Sequence, residues 1–118
     1  APATGGGTPL GQALTAGELG EFRAQVERQW NVGALSSEAL RVSVVVAVTV
    51  AQDGRPVQGS ERLIAGSGGS DAAINAAYEV ARRAIFKAGR SGLALPPEKY
   101  DTWKELEITF DASARQLR

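Results

Sequence analysis

The chain contains no cysteine and no histidine among its 118 residues. The missing thiol excludes disulfides and cysteine nucleophiles, and the missing imidazole excludes the side chain that most often performs acid–base catalysis near neutral pH. Ordinary zinc sites depend on the same two residue types. The remaining candidates are carboxylates such as Asp53, Asp71 and Glu98, and none is paired in sequence with a recognisable nucleophile or base. The sequence therefore favours a non-enzymatic protein without a metal or organic cofactor.

An excess of one charge and long apolar runs are also missing. Thirteen basic residues balance thirteen acidic ones, which argues against a nucleic-acid-binding protein because such proteins gain affinity from excess Lys and Arg. No apolar run approaches the roughly 18 residues that a membrane span requires. No signal peptide is visible and the first residue is not Met, so we interpret the chain as a domain of a longer protein, with a processed protein as the alternative. Four basic residues crowd one segment: Arg82, Arg83, Lys87 and Arg90. They could form a docking patch, but a solvated face favoured by the dipole at the end of a helix is the preferred interpretation.

The most regular feature present is a run of valines at every second position. A strand sends successive side chains to opposite faces, so the run predicts a strand over residues 41–52 with one buried face, placed centrally in an antiparallel sheet. Asp53-Gly54 follows and predicts a two-residue type I′ hairpin turn. Residues 56–65 then form the second strand, which Pro56 and Gly59 favour at an edge of the sheet. The valines are Val42, Val44, Val46, Val48 and Val50.

The chain begins with a segment that is poor in large side chains. Residues 1–14 include Pro2, Pro9 and three consecutive glycines, a composition typical of flexible tethers. We therefore interpret residues 1–14 as a flexible linker and residues 15–118 as one domain, which is long enough to bury a core without a disulfide or metal.

Two helices are predicted. Thr15 and Glu18 have the spacing of a capping box, in which each side chain satisfies a backbone N–H at the start of a helix. Ser70 is the expected N-cap of the second helix, and Gly89 is expected to end it. Apolar residues of the first helix recur at steps of three and four and form one stripe: Leu19, Phe22, Val26 and Trp30.

Residues 105–111 alternate between apolar and polar side chains, which predicts a third strand with one buried and one wet face. The order helix–strand–strand–helix–strand predicts an α+β fold, namely a three-stranded antiparallel sheet with two helices packed on one face. An unpaired edge can accept a strand from another protein. Whether the third strand does so, or Glu105 and Glu107 deter such pairing, stays open from these residues alone.

A different class of function depends on residues 66–70, GSGGS, which precede the second helix. The N-terminus of a helix can bind phosphate, so a small ligand-binding or enzymatic domain is one alternative. The segment lacks the spacing of both common phosphate-binding glycine motifs. A strand-to-helix turn is the favoured interpretation.

Several segments together resemble the C-terminal domains of TolA proteins, within the TonB/TolA C-terminal superfamily. They are QWNVG at residues 29–33, DGRPV at 53–57, GGSDAA at 68–73 and LPPEKY at 95–100, followed by Trp103 and the third strand. Their common order and spacing carry the resemblance, which covers roughly residues 15–111 and is strongest to alphaproteobacterial TolA.

The resemblance implies a periplasmic domain on a stalk anchored in the inner membrane. It would couple inner-membrane energy to the outer membrane by binding TolB and Pal, with filamentous phage coat proteins and colicins as further partners. Binding would occur by strand addition, with the first strand central and the third at an edge. A TonB-type domain, which binds the box peptide of outer-membrane transporters, is the alternative. The implied partner-binding residues are Lys104, Glu105, Leu106, Glu107, Ile108, Thr109 and Phe110.

This sequence departs from the family pattern at two positions. Related domains often carry two cysteines that join the helices, and the matching positions here are Gln29 and Ala88. No such disulfide forms. The resemblance then implies that packing alone holds the two helices together, unless the sequence has been altered at these positions.

Overall fold

The computed structural model describes residues 7–117 of the chain. These residues fold into one five-stranded sheet and four α-helices. Within this part, no helix is long and apolar enough to span a bilayer. Three short 3-10 turns lie at Val32–Ala34, Ala39–Arg41 and Pro97–Lys99. The strands are β1 (Thr8–Pro9), β2 (Ser43–Thr49), β3 (Arg62–Ser67), β4 (Glu105–Asp111) and β5 (Gln116–Leu117), and the helices are α1 (Leu10–Ala13), α2 (Ala16–Glu27), α3 (Asp71–Ala88) and α4 (Tyr100–Trp103).

The valine-rich strand β2 lies inside the sheet, as predicted. The strand order is β1-β4-β2-β3, and β5 also pairs with β4. β2 is antiparallel to both β3 and β4, but β1 runs parallel to β4. The α+β class is therefore confirmed and β3 ends the sheet as expected, whereas the three-stranded antiparallel sheet is wrong: the sheet is mixed and has five strands.

The core lies on the valine face of β2. Val46 faces Ile108 across the ladder, and Val44 faces Phe110. Both tryptophans are buried, Trp30 being 7% exposed and Trp103 1%, so neither is a surface anchor. No charged or polar residue is buried in the described part of the chain. The helices and the sheet share one apolar cluster, which includes Phe22, Val26, Ala77, Ala81, Ile85, Leu106 and Leu117.

The predicted helix starts are confirmed. The Thr15 N–H donates to Glu18 Oε1 at 2.9 Å, and the Glu18 N–H donates to Thr15 Oγ1 at 3.3 Å, which completes the capping box. Ser70 Oγ accepts the Ala73 N–H at 3.2 Å. α3 ends with Gly89 as its C-cap.

The turn after β2 differs from the prediction. A type I′ turn needs positive φ at both central residues, but here Gly54 has φ 86° and Asp53 is not among the positive-φ residues. Instead the Ala51 N–H donates to the Arg55 C=O at 2.9 Å, and Asp53 Oδ1 accepts the Arg55 N–H at 3.0 Å. The Asp53 side chain thus closes its own turn. The second strand predicted over residues 56–65 is therefore misplaced, because regular pairing with β2 resumes only at β3, Arg62–Ser67.

The linker prediction is wrong for residues 8–14. Residues 8–13 form β1 and α1, Leu10 is fully buried, and Leu14 directly after α1 is 7% exposed. Composition missed this because one buried leucine can anchor a segment that is otherwise rich in glycine and proline. Residues 1–6 lie outside the described part of the chain.

More than packing connects α2 to the region after α3. The Gln25 side chain donates to the carbonyls of Ala88 and Gly92 at 3.1 and 3.0 Å, and it accepts the Ala94 N–H at 2.6 Å. Ala88 is one of the two positions that match a cysteine in related domains, and its carbonyl is therefore held by the side-chain amide of Gln25. The expectation that packing alone joins the helices is wrong.

The lowered pKa values of two glutamates lead us to expect that the domain loses stability in acid. Hydrogen bonds from Thr15 and Lys99 lower the pKa of Glu18 below its usual 4.5, and the Ser70 N–H does the same for the pKa of Glu38. A depressed folded-state pKa stabilises the fold above the unfolded value and loses that effect as pH falls through the folded value. Below about pH 4.5, we expect the urea concentration at half-unfolding to decrease as the pH falls. The decrease should be less steep in the variant Glu18→Gln/Glu38→Gln.

The matched control for this experiment is Glu21→Gln/Glu98→Gln, which removes two carboxylates from exposed positions. It should keep the acid sensitivity of the parent chain. Equal flattening in both double variants would contradict the roles of Glu18 and Glu38.

Candidate docking site

The residues that the resemblance implied for partner binding lie in and next to β4. Lys104 precedes the strand, and its C=O accepts the Val50 N–H at 2.8 Å. Residues 105–110 lie within β4, whose predicted bounds are confirmed. The apolar residues of β4 point into the core, where the Phe110 ring meets the Trp30 ring edge-on at 5.3 Å. This packing holds the strand rigidly against β2.

The backbone groups of β4 alternate between β2 and the opposite side. The Val50–Lys104 bond, together with the Ala112 N–H donating to the Val42 C=O at 3.1 Å, shows that even-numbered residues of β4 face β2. In an antiparallel ladder the intervening residues turn their N–H and C=O groups the other way. We call this side the outer edge of β4; its residues are Glu105, Glu107, Thr109 and Asp111.

The outer edge of β4 is not free, contrary to expectation. β1 pairs with its first half in parallel, with Thr8 opposite Leu106. β5 pairs with its second half, with Leu117 opposite Phe110. The implied position of this strand at the border of the sheet is therefore wrong.

Neither β1 nor β5 was predicted from the sequence, because a two-residue strand is too short to show an alternating pattern. Their one signal is an isolated leucine in a polar or glycine-rich segment. Leu10 directly follows β1 and Leu117 lies in β5, and both are fully buried.

A gap remains between the two covering strands. Ile108 and Thr109 have no partner in the register of either β1 or β5. A cavity of about 360 Å³ lies at this place, lined by residues that include Pro9, Gln12, Leu19, Arg23, Glu107 and Thr109. The middle of the outer edge thus adjoins a space large enough for a side chain.

Arg23 has an unused donor in this cavity. Its Nε is shielded from solvent and has no hydrogen-bond partner within residues 7–117. Leaving such a donor unsatisfied costs about 1–3 kcal/mol. An oxygen atom that enters the cavity could therefore accept a hydrogen bond from Arg23 Nε and remove this cost. Sequence pattern could not reveal this, because Arg23 lies on the polar side of the predicted helix stripe.

Glutamates line the same edge. Glu107 Oε2 accepts the Gly7 N–H at 3.4 Å, and both carboxylate oxygens of Glu105 lie 3.0 Å from Thr49 Oγ1. These contacts give both carboxylates a structural role within the domain.

The sheet has a second edge at β3. No strand borders its far side in the described part of the chain. Its ladder with β2 is irregular, with a register shift between Val45 and Val46. Such irregularities twist an edge away from further pairing, so β3 is the weaker candidate.

The alternative phosphate site at residues 66–70 already has an anion. Glu38 Oε2 accepts the Ser70 N–H at 2.8 Å, directly at the start of α3. An incoming phosphate would have to displace this carboxylate, so the geometry favours the turn interpretation. Among residues 7–117, no cluster of three or more acidic side chains is arranged to hold a metal ion.

Comparison with known proteins adds no relative. No family model, no curated protein and no solved structure matches the chain.

Proposed function

We propose that the chain is a non-enzymatic protein-interaction domain that binds an extended segment of a partner by strand addition to the outer edge of β4. The observation that carries this proposal is that the edge already accepts two unrelated strands, one parallel and one antiparallel, from opposite ends of the chain. An edge that accepts both directions of pairing, while the core holds its strand rigid, is a suitable template for a third.

A partner strand could replace β1 on this edge with a net gain of backbone hydrogen bonds. Each covering strand is only two residues long, and a backbone hydrogen bond contributes a net of about 0.5–1.5 kcal/mol. Pro9 also has no N–H to donate. A partner segment of ordinary strand length, roughly 5–6 residues, would form more bonds than the β1 it replaces. Arg23 would supply a further donor beside Thr109.

The resemblance to TolA suggests which partners to try. In that role the domain lies in the periplasm and couples inner-membrane energy to the outer membrane through TolB and Pal, and phage coat proteins or colicins exploit the same edge. The TonB-type alternative would bind the box peptide of outer-membrane transporters instead. Both roles use the same geometry, so the choice between them depends on the peptide.

Gly7→Ala tests the proposal with one methyl group. A Cβ at Gly7 would collide with the backbone oxygen of Glu105, so β1 should detach from β4. We expect a peptide from the flexible N-terminus of TolB to bind about fivefold more tightly to this variant, because a competing ladder is lost. Gly20→Ala is the control, since its Cβ meets no atom within 4 Å and it lies outside the cavity beside Thr109.

The measurement is a titration followed by backbone amide shifts. If the peptide docks on β4, the largest shifts occur at residues 104–110 and smaller ones in β3. A box peptide of the TonB type, titrated in parallel, separates the two roles. Shifts confined to β3, or no binding of either peptide to the folded protein, would contradict docking on β4.

A further inference from the structure

A second surface of the molecule is strongly basic, although the chain as a whole is neutral. A cleft of about 640 Å³ lies between α3 and the connection from β2 to β3. Its wall holds five of the thirteen basic residues of the chain but one of the thirteen acidic residues. We call it the basic cleft; its cations are Arg55, Arg82, Arg83, Lys87 and Arg90.

Most of these cations are not neutralised from within the domain. Arg82 is, because it lies 3.0 Å from Glu79 and 3.4 Å from Glu61. Arg55 lies 3.8 Å from Asp53, with both side chains more than half exposed, and such a pair contributes little. Three cations have no ion pair within the described residues: Arg83, Lys87 and Arg90.

The helix dipole accounts for only part of this arrangement. Cations are favoured only in the last turn of a helix, and Arg83 precedes the last turn of α3. Arg83 and Lys87 are also four residues apart, where like charges destabilise a helix. Lys87 lies in the last turn and is favoured by the dipole, whereas the position of Arg83 and its repulsion from Lys87 are not explained by it.

We propose that the basic cleft binds a carboxylate-rich, extended segment of a partner protein. Arg83 and Lys87 are separated by about 6 Å along the helix axis, close to the roughly 6.6 Å between side chains on the same face of an extended chain. Glutamates or aspartates at alternate positions would thus meet successive cations. Guanidinium groups bind carboxylates with two parallel hydrogen bonds, which adds geometric selection.

The apolar part of the cleft favours a peptide over a lipid surface. Pro56 and Phe86 are half-buried in its wall, so the residue between two acidic side chains would have an apolar contact. A flat bilayer cannot enter a cleft. Among the described residues, the large hydrophobic side chain that is exposed is Val57, at 41% of its surface. One such side chain gives too little apolar area for insertion into a membrane.

The basic cleft is independent of the proposed strand addition. Glu61 directly precedes β3, so the cleft lies on the β3 side of the sheet, whereas β4 lies on the other side of β2. The outer edge of β4 stays accessible when the cleft is filled. One domain could then hold two segments at once, and failure of either proposal leaves the other standing.

The test uses a short labelled peptide in which glutamates alternate with alanines around a central leucine, followed by fluorescence anisotropy on the full chain. We expect saturable binding that weakens with salt, and loss of about tenfold in affinity in Arg83→Gln/Lys87→Gln. The control is Arg28→Gln/Arg115→Gln, which removes the same charge from exposed positions outside the cleft. Thermal unfolding confirms that both variants are folded.

Three results would overturn the proposal. They are equal weakening in both double variants, equal affinity for the same peptide with glutamines in place of glutamates, and binding of inorganic phosphate or of anionic phosphatidylglycerol vesicles without binding of the peptide. The last would assign the cleft to phosphate chemistry instead.

Discussion

Val46→Asp is expected to unfold the domain. Val46 is fully buried in the middle of β2, between Ile108 of β4 and Leu63 of β3. The described chain buries no polar residue that could pair with the new carboxylate. An unpaired charge or forced protonation there costs roughly 4 kcal/mol or more, comparable with the whole stability of a typical domain, about 5–15 kcal/mol. Far-UV circular dichroism and urea unfolding measure the loss.

Val45→Asp is the control on the neighbouring position. Val45 points to the opposite face of β2 and is half-buried, so its carboxylate would keep contact with water. We expect this variant to fold, with a lowered urea midpoint. Equal unfolding of the two variants would mean that both faces of β2 are core, contrary to the burial pattern.

A pair of proline variants in β4 should separate folding from binding. Thr109 turns its backbone N–H to the outer edge, so Thr109→Pro removes no bond to β2. Ile108 belongs to the alternate set that faces β2, and Ile108→Pro removes a ladder bond and disturbs a fully buried position. Proline in the middle of a sheet removes a ladder hydrogen bond and is found essentially only at edges or bulges.

The expected result is that Thr109→Pro folds but loses detectable binding of the partner peptide, whereas Ile108→Pro is largely unfolded. Amide spectra and peptide titration on the same samples measure both properties. If folded Thr109→Pro binds like the parent chain, the outer edge of β4 is not the docking site. In that case β3 would be the remaining edge to test.

Strand β4 shows how far local pattern reaches. Its apolar–polar alternation predicted the bounds Glu105–Asp111, and the structure confirms them together with the burial of Leu106 and Ile108. The capping box at Thr15 and the cap at Ser70 were equally predictable. All three depend on residues within a few positions of each other, so the sequence contains the whole interaction.

The covering of β4 was beyond such reasoning. Thr8 meets Leu106 across almost the whole length of the chain, and two residues are too few to show a period. The Asp53-Gly54 turn failed for a related reason. The dipeptide is compatible with several turns, and the Asp53 contact with Arg55 selected another one.

The sequence by itself determined the α+β class, the central valine strand, the starts of the two long helices, the end of the second one and the absence of thiol and imidazole chemistry, whereas the first helix ends at Glu27, before the predicted stripe residue Trp30. Tertiary structure alone decided the order of the strands, the partial covering of β4, the open donor of Arg23 and the meeting of Arg55 with the cations of α3. The division has one physical reason. Periodicity and capping arise between neighbours along the chain, whereas edges and clefts arise between segments that only folding brings together.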